Sequence, residues 1–115
     1  MNMAGAFVLD KAAILDRLGG DEEIYTMMVD MYLQDIDHNC ATLAAAAASG
    51  DAYSLQREVH TIKGLLATFS DDEGAAVAYQ VEQKIKLGNL QGMESDIPGL
   101  DARLREVAGV LASHR

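Results

Sequence analysis

Apolar residues recur along most of this chain at steps of three and four, which is the spacing of one face of an α-helix. The longest stripe follows Asp21, a residue suited to cap a helix, and precedes Gly50, a residue suited to end one. Its members are Tyr25, Met28, Val29, Tyr32, Ile36, Cys40, Leu43 and Ala47. The pattern predicts a long helix between Asp21 and Gly50 that buries one side.

Two further segments carry similar stripes. A helix predicted from about Ala52 to Phe69 has core positions at steps of four, three, four and three: Leu55, Val59, Ile62, Leu66 and Phe69. A loop and cap at residues 70–72 then lead into another helix, which extends to Leu87 and has the core positions Val77, Val81 and Ile85. These regular spacings predict two helices that each bury one face.

The two ends of the chain complete the pattern. Asp10 caps a short helix predicted over Lys11 to Leu18, which two glycines end. The last helix extends to about Ser113, and because proline is tolerated in a first turn, Pro98 favours Asp96 as its cap. Its predicted inner face consists of Leu100, Leu104, Val107 and Leu111.

No segment shows the alternation of a β-strand, so the expected fold is all-α. Four substantial helices with short connections predict an antiparallel four-helix bundle with a short additional N-terminal helix. We expect residues 1–115 to form one domain, because this length suits a single hydrophobic core.

Composition and charge exclude several classes of function. The formal net charge of −9 disfavours binding to the phosphate backbone of DNA or RNA. Cys40 is the only cysteine, which excludes an internal disulfide and a cysteine-rich zinc site, and it is expected to be a core or boundary residue. The chain has no apolar run long enough to cross a membrane and no basic leading region of a secretory signal. We therefore expect a cytoplasmic protein with no membrane partner.

Three histidines are the candidates for chemistry. His114 lies next to the end of the chain, and His38 lies beside polar residues in a helix, so both are expected to be solvated. No two histidines are four residues apart, and we expect no metal site. His60 lies between the core positions Val59 and Ile62, so its side chain is predicted to point outward.

Lys63 and Gly64 follow His60 by one helical turn and share its exposed face. A neutral imidazole is a nucleophile near pH 7, and a lysine ammonium can offset charge on phosphoryl oxygens. Glycine costs about 1 kcal/mol in a helix interior relative to alanine, but it leaves room beside the imidazole. The alternative is an exposed histidine, a solvated lysine and a tolerated glycine, and the spacing alone does not decide between them.

The segment His60-Thr61-Ile62-Lys63-Gly64 resembles the His-x-x-Lys-Gly signature of histidine phosphotransfer (HPt) domains. Four other segments resemble the family in the same order along the chain: 17–21, 32–35, 49–51 and 88–90. The resemblance implies a phosphocarrier that accepts a phosphoryl group on Nε2 of His60 from an aspartyl-phosphate receiver domain. It then passes the group to another receiver in a multistep phosphorelay.

The resemblance also implies which partners and groups complete the reaction. Receiver domains of response regulators or hybrid histidine kinases are the expected partners, and they hold the Mg²⁺ and most catalytic groups. The chain is therefore expected to need no cofactor, to be no enzyme by itself and to be a monomer. Docking candidates on the second and third helices are Met27, Met31, Gln56 and Ala67, although bundle core is the alternative for the methionines.

Glu82 aligns with a family position that often holds glutamine or glutamate near the active imidazole. A carboxylate there can accept a hydrogen bond from Nδ1–H and leave Nε2 nucleophilic, whereas the alternative is an ordinary solvated glutamate. Lys86, one turn further, can add positive charge near the site, and Lys84 is a weaker candidate.

The chain departs from the family pattern around the end of the histidine helix. Leu65 and Leu66 follow Gly64 where small residues are usual, and Gly74 stands where leucine is common. Ser70 and Asp71 replace the usual Gly-Ala. These departures put the local helix junction and the partner specificity in doubt.

Two alternatives to a phosphocarrier remain open. One is an HPt-like interaction module that is not phosphorylated, against which the intact His60, Lys63 and Gly64 argue. The other is the phosphoacceptor domain of a chemotaxis-type histidine kinase, which shares the fold and the motif and receives its phosphoryl group from ATP through a kinase domain.

Overall fold

The computed structural model describes residues 5–114, which form five helices and no strand. The helices are α1 (Lys11–Arg17), α2 (Glu22–Ser49), α3 (Ala52–Thr68), α4 (Asp72–Lys86) and α5 (Met93–Ser113). Short connections turn the chain back between successive helices, so α2 to α5 form a four-helix bundle and α1 packs beside its beginning. The all-α prediction and the short additional helix are confirmed. None of these helices is long and apolar enough to cross a bilayer.

Aspartates cap the first four helices. The side chains of Asp10, Asp21, Asp51 and Asp71 each accept a hydrogen bond from a backbone N–H in the first turn that follows. Such caps each stabilise a helix by about 1 kcal/mol, because they satisfy donors that have no partner within the helix. The caps therefore help to fix the residue at which each of these helices begins.

The last helix begins earlier than predicted. α5 starts at Met93, after Gly92 with φ +85°, and Pro98 lies inside the helix. Asp96 does not cap it. Its buried carboxylate instead accepts a hydrogen bond from Lys84 on α4 at 2.7 Å, and this contact between helices holds the additional first turn.

The core lies between α2, α3, α4 and α5. Every predicted core position of α3 and α5 is buried. Near the end of α2, Ala46 is buried and the predicted core position Ala47 is exposed. On α4, Ala78 is buried and the predicted core position Val77 is only partly buried. Steps of four alone drift around a helix that has 3.6 residues per turn, so the buried stripe must include a step of three.

A buried ion pair joins the start of α4 to α5. Arg103 donates from Nε to Asp71 Oδ2 at 2.7 Å and from Nη2 to Asp71 Oδ1 at 2.6 Å. Both side chains are at most one-tenth exposed. Asp71 also caps α4 through the N–H of Gly74, where an added Cβ would overlap the carboxylate. We call Asp71, Gly74 and Arg103 the clamp, and it explains two departures from the family pattern, Asp71 and Gly74.

The clamp extends to the beginning of the described chain. Arg103 Nη1 donates to the carbonyl of Gly5 and to Glu106, whose carboxylate also accepts a hydrogen bond from the N–H of Phe7 at 2.7 Å. Phe7 is buried in the core. The segment before α1 is thus fastened to the bundle.

Candidate functional site

The exposed face of α3 carries His60. Its neighbours Val59 and Ile62 are buried and its own side chain is 64% exposed, so the imidazole points outward from the bundle. This orientation follows from the helical spacing of the core positions.

A buried carboxylate on α4 contacts this imidazole. Glu82 has a side-chain exposure of only 3%, and its Oε2 lies 3.0 Å from His60 Nδ1. Its Oε1 accepts a hydrogen bond from Lys63 Nζ at 2.9 Å, and Lys86 Nζ lies 3.8 Å from Oε2. The structure thus brings together four residues that sequence reasoning singled out, and Glu82 is not a solvated surface glutamate.

The ionisation of Glu82 determines which ring nitrogen of His60 carries the hydrogen in this contact. Burial raises the pKa of Glu82, but the hydrogen bonds from Lys63 and His60 outweigh it and hold the pKa below its ordinary value. An ionised carboxylate can only accept, so Nδ1 of His60 carries the proton in this hydrogen bond. In the neutral ring, Nε2 then holds the free lone pair on the side away from Glu82.

Lys63 lies between the carboxylate and an aromatic ring. Its side chain is 28% exposed, and its ammonium lies 5.3 Å from the ring centroid of Tyr79, within the range of a cation–π contact. Sequence reasoning missed Tyr79. Its position three residues before Glu82, one turn away on the same face of α4, is the signal that could have identified it.

Small residues keep the surface beside His60 open. A Cβ added at Gly64 would meet no atom within 4 Å, so the packing of the bundle does not require glycine there. Ala67 is exposed one turn further along the same face. Glycine is unfavourable inside a helix, and at position 64 it leaves the surface next to the imidazole free of a side chain.

The candidate docking residues occupy two places. Met27 and Met31 on α2 are 57% and 55% exposed, so neither belongs to the bundle core. Met31 also lines a groove between α2 and α3 that reaches Leu65 and Thr68. Gln56 is half-buried one turn before His60, and Ala67 is exposed beyond it.

Other candidate residues lie apart from this site. Lys84 binds Asp96 between α4 and α5, and His38 and His114 are exposed on α2 and after α5. Burial raises the pKa of the Cys40 thiol to about 11, which leaves it protonated and unreactive at neutral pH. Among residues 5–114, no group of three or more histidine, cysteine, aspartate or glutamate side chains is arranged to hold a metal.

Comparison with known proteins agrees with this geometry. The model of the Hpt domain family matches residues 27–110. The chain belongs to the Hpt domain family. Hpt domains act in histidine phosphotransfer within phosphorelay signalling, where they interact with receiver domains.

One solved structure shares the fold over nearly the full length. It is the crystal structure of histidine-containing phosphotransfer protein B (HptB) from Pseudomonas aeruginosa PAO1, with a TM-score of 0.81 and 22% sequence identity. The match covers 92% of each chain. A search of curated proteins found no match.

Proposed function

We propose that His60 is the residue of this Hpt domain that carries the phosphoryl group, with Nε2 as the nucleophile. The observation that carries the proposal is the hydrogen bond between His60 Nδ1 and buried Glu82, which leaves Nε2 free on an exposed face. Gly64 keeps the approach to this atom open.

The proposed step is a reversible displacement at phosphorus. The Nε2 lone pair forms a bond to the phosphorus of a receiver's aspartyl phosphate, and the phosphorus–oxygen bond to the aspartate breaks, which releases its carboxylate. The ring keeps its Nδ1 proton and becomes a phosphorylated imidazolium. Glu82 balances the positive charge that develops on the ring, so this side chain stabilises both the transition state and the product.

The lysines have separate roles in this proposal. Lys63 can turn its ammonium toward the phosphoryl oxygens while His60 keeps its hydrogen bond to Glu82 and Lys86 supplies a positive charge beside it. Lys86, 46% exposed, adds positive charge at the rim of the site. The chain supplies the nucleophile and its surroundings, and the Mg²⁺ that binds the acyl phosphate belongs to the receiver. We therefore propose a phosphocarrier without a cofactor of its own, which completes no reaction without its partner.

The receiver is proposed to dock over the exposed face of α3 and the adjoining part of α2. Exposed Met27 and Met31 offer adaptable apolar contacts, and Gln56 and Ala67 lie before and after His60 on α3. This surface is small and combines apolar with polar residues. We therefore propose a monomer that binds its receivers transiently. The cytoplasmic location stays a prediction from the sequence, where a lone cysteine suits a reducing compartment.

One observation favours a second candidate. Glutamate at position 82 also suits the phosphoacceptor domain of a chemotaxis-type kinase, in which ATP is the donor through a kinase domain. The two candidates differ in the donor and share His60 as the acceptor.

The proposal is tested by incubating the protein with a receiver labelled on its aspartate in the presence of Mg²⁺. We expect the label to appear on the wild type and on His38→Gln, a control at another exposed helical histidine, and to be absent from His60→Gln. Equal label on His60→Gln would refute the assignment of His60. Label only from ATP with a chemotaxis-type kinase would support the second candidate, and no label from any donor would indicate a module that is not phosphorylated.

A further inference from the structure

The ammonium of Lys63 has two partners on α4, and sequence reasoning identified only one of them. Glu82 accepts its hydrogen bond at 2.9 Å, and the ring of Tyr79 lies beneath it at 5.3 Å from the centroid. Tyr79 is 51% exposed, so its ring is not needed to fill the core.

The two contacts hold the ammonium in different ways. A hydrogen bond to one carboxylate oxygen is directional and breaks when the ammonium turns away. The attraction to an aromatic face reaches about 6 Å from the ring centroid and needs no single donor–acceptor angle, so the cation can turn above the ring and remain attracted. The ring can therefore hold the ammonium both before and after it leaves Glu82.

Lys63 needs such a contact because its stem is long and flexible. A lysine side chain loses much of its rotamer freedom when it is fixed in one position, so it stays there only if a contact offsets that loss. If the phosphoryl group arrives at His60 Nε2, the ammonium must leave Glu82 to reach its oxygens. Without the ring, the released side chain would sample solvent on the open side of α3.

We propose that Tyr79 is a positioning residue, which keeps the ammonium of Lys63 beside His60 and thereby speeds phosphoryl transfer. This inference rests on the proposed function. In this proposal the ring acts through Lys63, and the effect does not depend on a contact with the imidazole or the transferred group. The phenolic hydroxyl has no part in this role, so phenylalanine should replace tyrosine.

The contact is tested first without any receiver. An aromatic ring shields nuclei above its face, so we expect the ε-methylene protons of Lys63 to resonate upfield of an ordinary lysine. The upfield shift should persist in Tyr79→Phe and disappear in Tyr79→Leu. Tyr53→Leu is the matched control, because Tyr53 is also exposed and lies 5.7 Å from a cation, Arg57. It should leave the Lys63 resonance unchanged.

The transfer rate then tests the role. At saturating receiver we expect Tyr79→Leu to slow transfer about two- to fivefold, the effect of a partly exposed cation–π contact, with the half-saturating receiver concentration unchanged. Tyr79→Phe should transfer at the rate of the wild type. In a Lys63→Gln background, Tyr79→Leu should cause no further slowing, because the ammonium it positions is gone.

Equal slowing by Tyr79→Leu with and without Lys63 would overturn the inference, since Tyr79 would then act directly on the receiver. An unchanged Lys63 resonance in Tyr79→Leu would overturn it as well. Failure of the proposed function is distinguishable, because the wild type itself would then take no label. The NMR comparison would still report whether the ring contacts Lys63.

Discussion

The site at His60 and the clamp at Asp71 are both built around a buried carboxylate, and they use it in opposite ways. The side chains of Glu82 and Asp71 are 3% and 2% exposed, and each binds a cation from a neighbouring helix. In the clamp, one buried guanidinium binds both carboxylate oxygens. At the site, the carboxylate is shared among a histidine and two lysines that reach the surface.

The difference separates a structural ion pair from a reactive one. Arg103 has no freedom to leave Asp71, because its charge is buried and its planar group is fully engaged. Lys63 and Lys86 can leave Glu82 for solvent or for a phosphoryl group, and His60 keeps one ring nitrogen free. Of these two buried carboxylates, the one with replaceable partners lies at the candidate site, and the one with a fixed partner joins two helices of the fold.

The largest expected loss of stability comes from removing Arg103, the fixed cation of the clamp. Arg103→Met leaves Asp71 buried without its partner, and we expect a loss of about 3–5 kcal/mol in the free energy of unfolding. Urea denaturation measures it. Lys63→Met, the matched change at the site, should cost about 1 kcal/mol or less, because the hydrogen bond from His60 and the charge of Lys86 still stabilise ionised Glu82. Equal losses in the two variants would contradict the distinction.

A substitution at Gly64 should separate stability from transfer. Glutamine is a better helix former than glycine, and its side chain meets open space, so Gly64→Gln should raise the free energy of unfolding by several tenths of a kcal/mol. Its side chain would obstruct the receiver and slow transfer by about ten- to a hundredfold. Gly109→Gln, at another open helical position on α5, should bring the same stabilisation at an unchanged transfer rate. Normal transfer by Gly64→Gln would refute the proposal that Gly64 keeps the approach to His60 Nε2 open.

Neutralising the shared carboxylate should destabilise the protein less than removing Arg103 does. In Glu82→Gln one of the two accepting oxygens becomes an NH₂ donor, which cannot accept from His60 or Lys63, so we expect a loss of about 1–2 kcal/mol in stability near neutral pH. The ¹⁵N shifts of the neutral His60 ring should change from the Nδ1–H form to a mixture of both tautomers. An unchanged tautomer would show that another group orients the ring.

Acid should remove the stabilisation that ionised Glu82 gives to the wild type. The pKa of Glu82 is lowered in the folded state, so its contribution to stability is fully present above the pKa of an unfolded glutamate, about 4.3. It is lost as the pH falls through the lower folded value. The stability difference between wild type and Glu82→Gln should therefore shrink over this acidic range, as urea denaturation at a series of pH values would measure.

Local spacing predicted the parts of this molecule that depend on one helix at a time. The core faces of α3 and α5 and the outward position of His60 follow from helical periodicity. The start of α5 did not, because the role of Asp96 depends on Lys84 of another helix. Periodicity also could not reveal the Asp71–Arg103 pair, whose members are 32 residues apart, or the ring of Tyr79 beneath Lys63. The position of Glu82 came from the family resemblance, and its burial came from the packing of α3 against α4.

The hydrogen bond between His60 Nδ1 and Glu82 also bears on the identity of the chemical product. A histidine can in principle be phosphorylated on either ring nitrogen, which gives two isomers with different lifetimes. Here Nδ1 is held against a buried carboxylate, while the side chain as a whole is 64% exposed and leaves Nε2 without this contact. On the proposed chemistry, the fold therefore allows a single regioisomer, phosphorylated on Nε2, so a receiver meets one product.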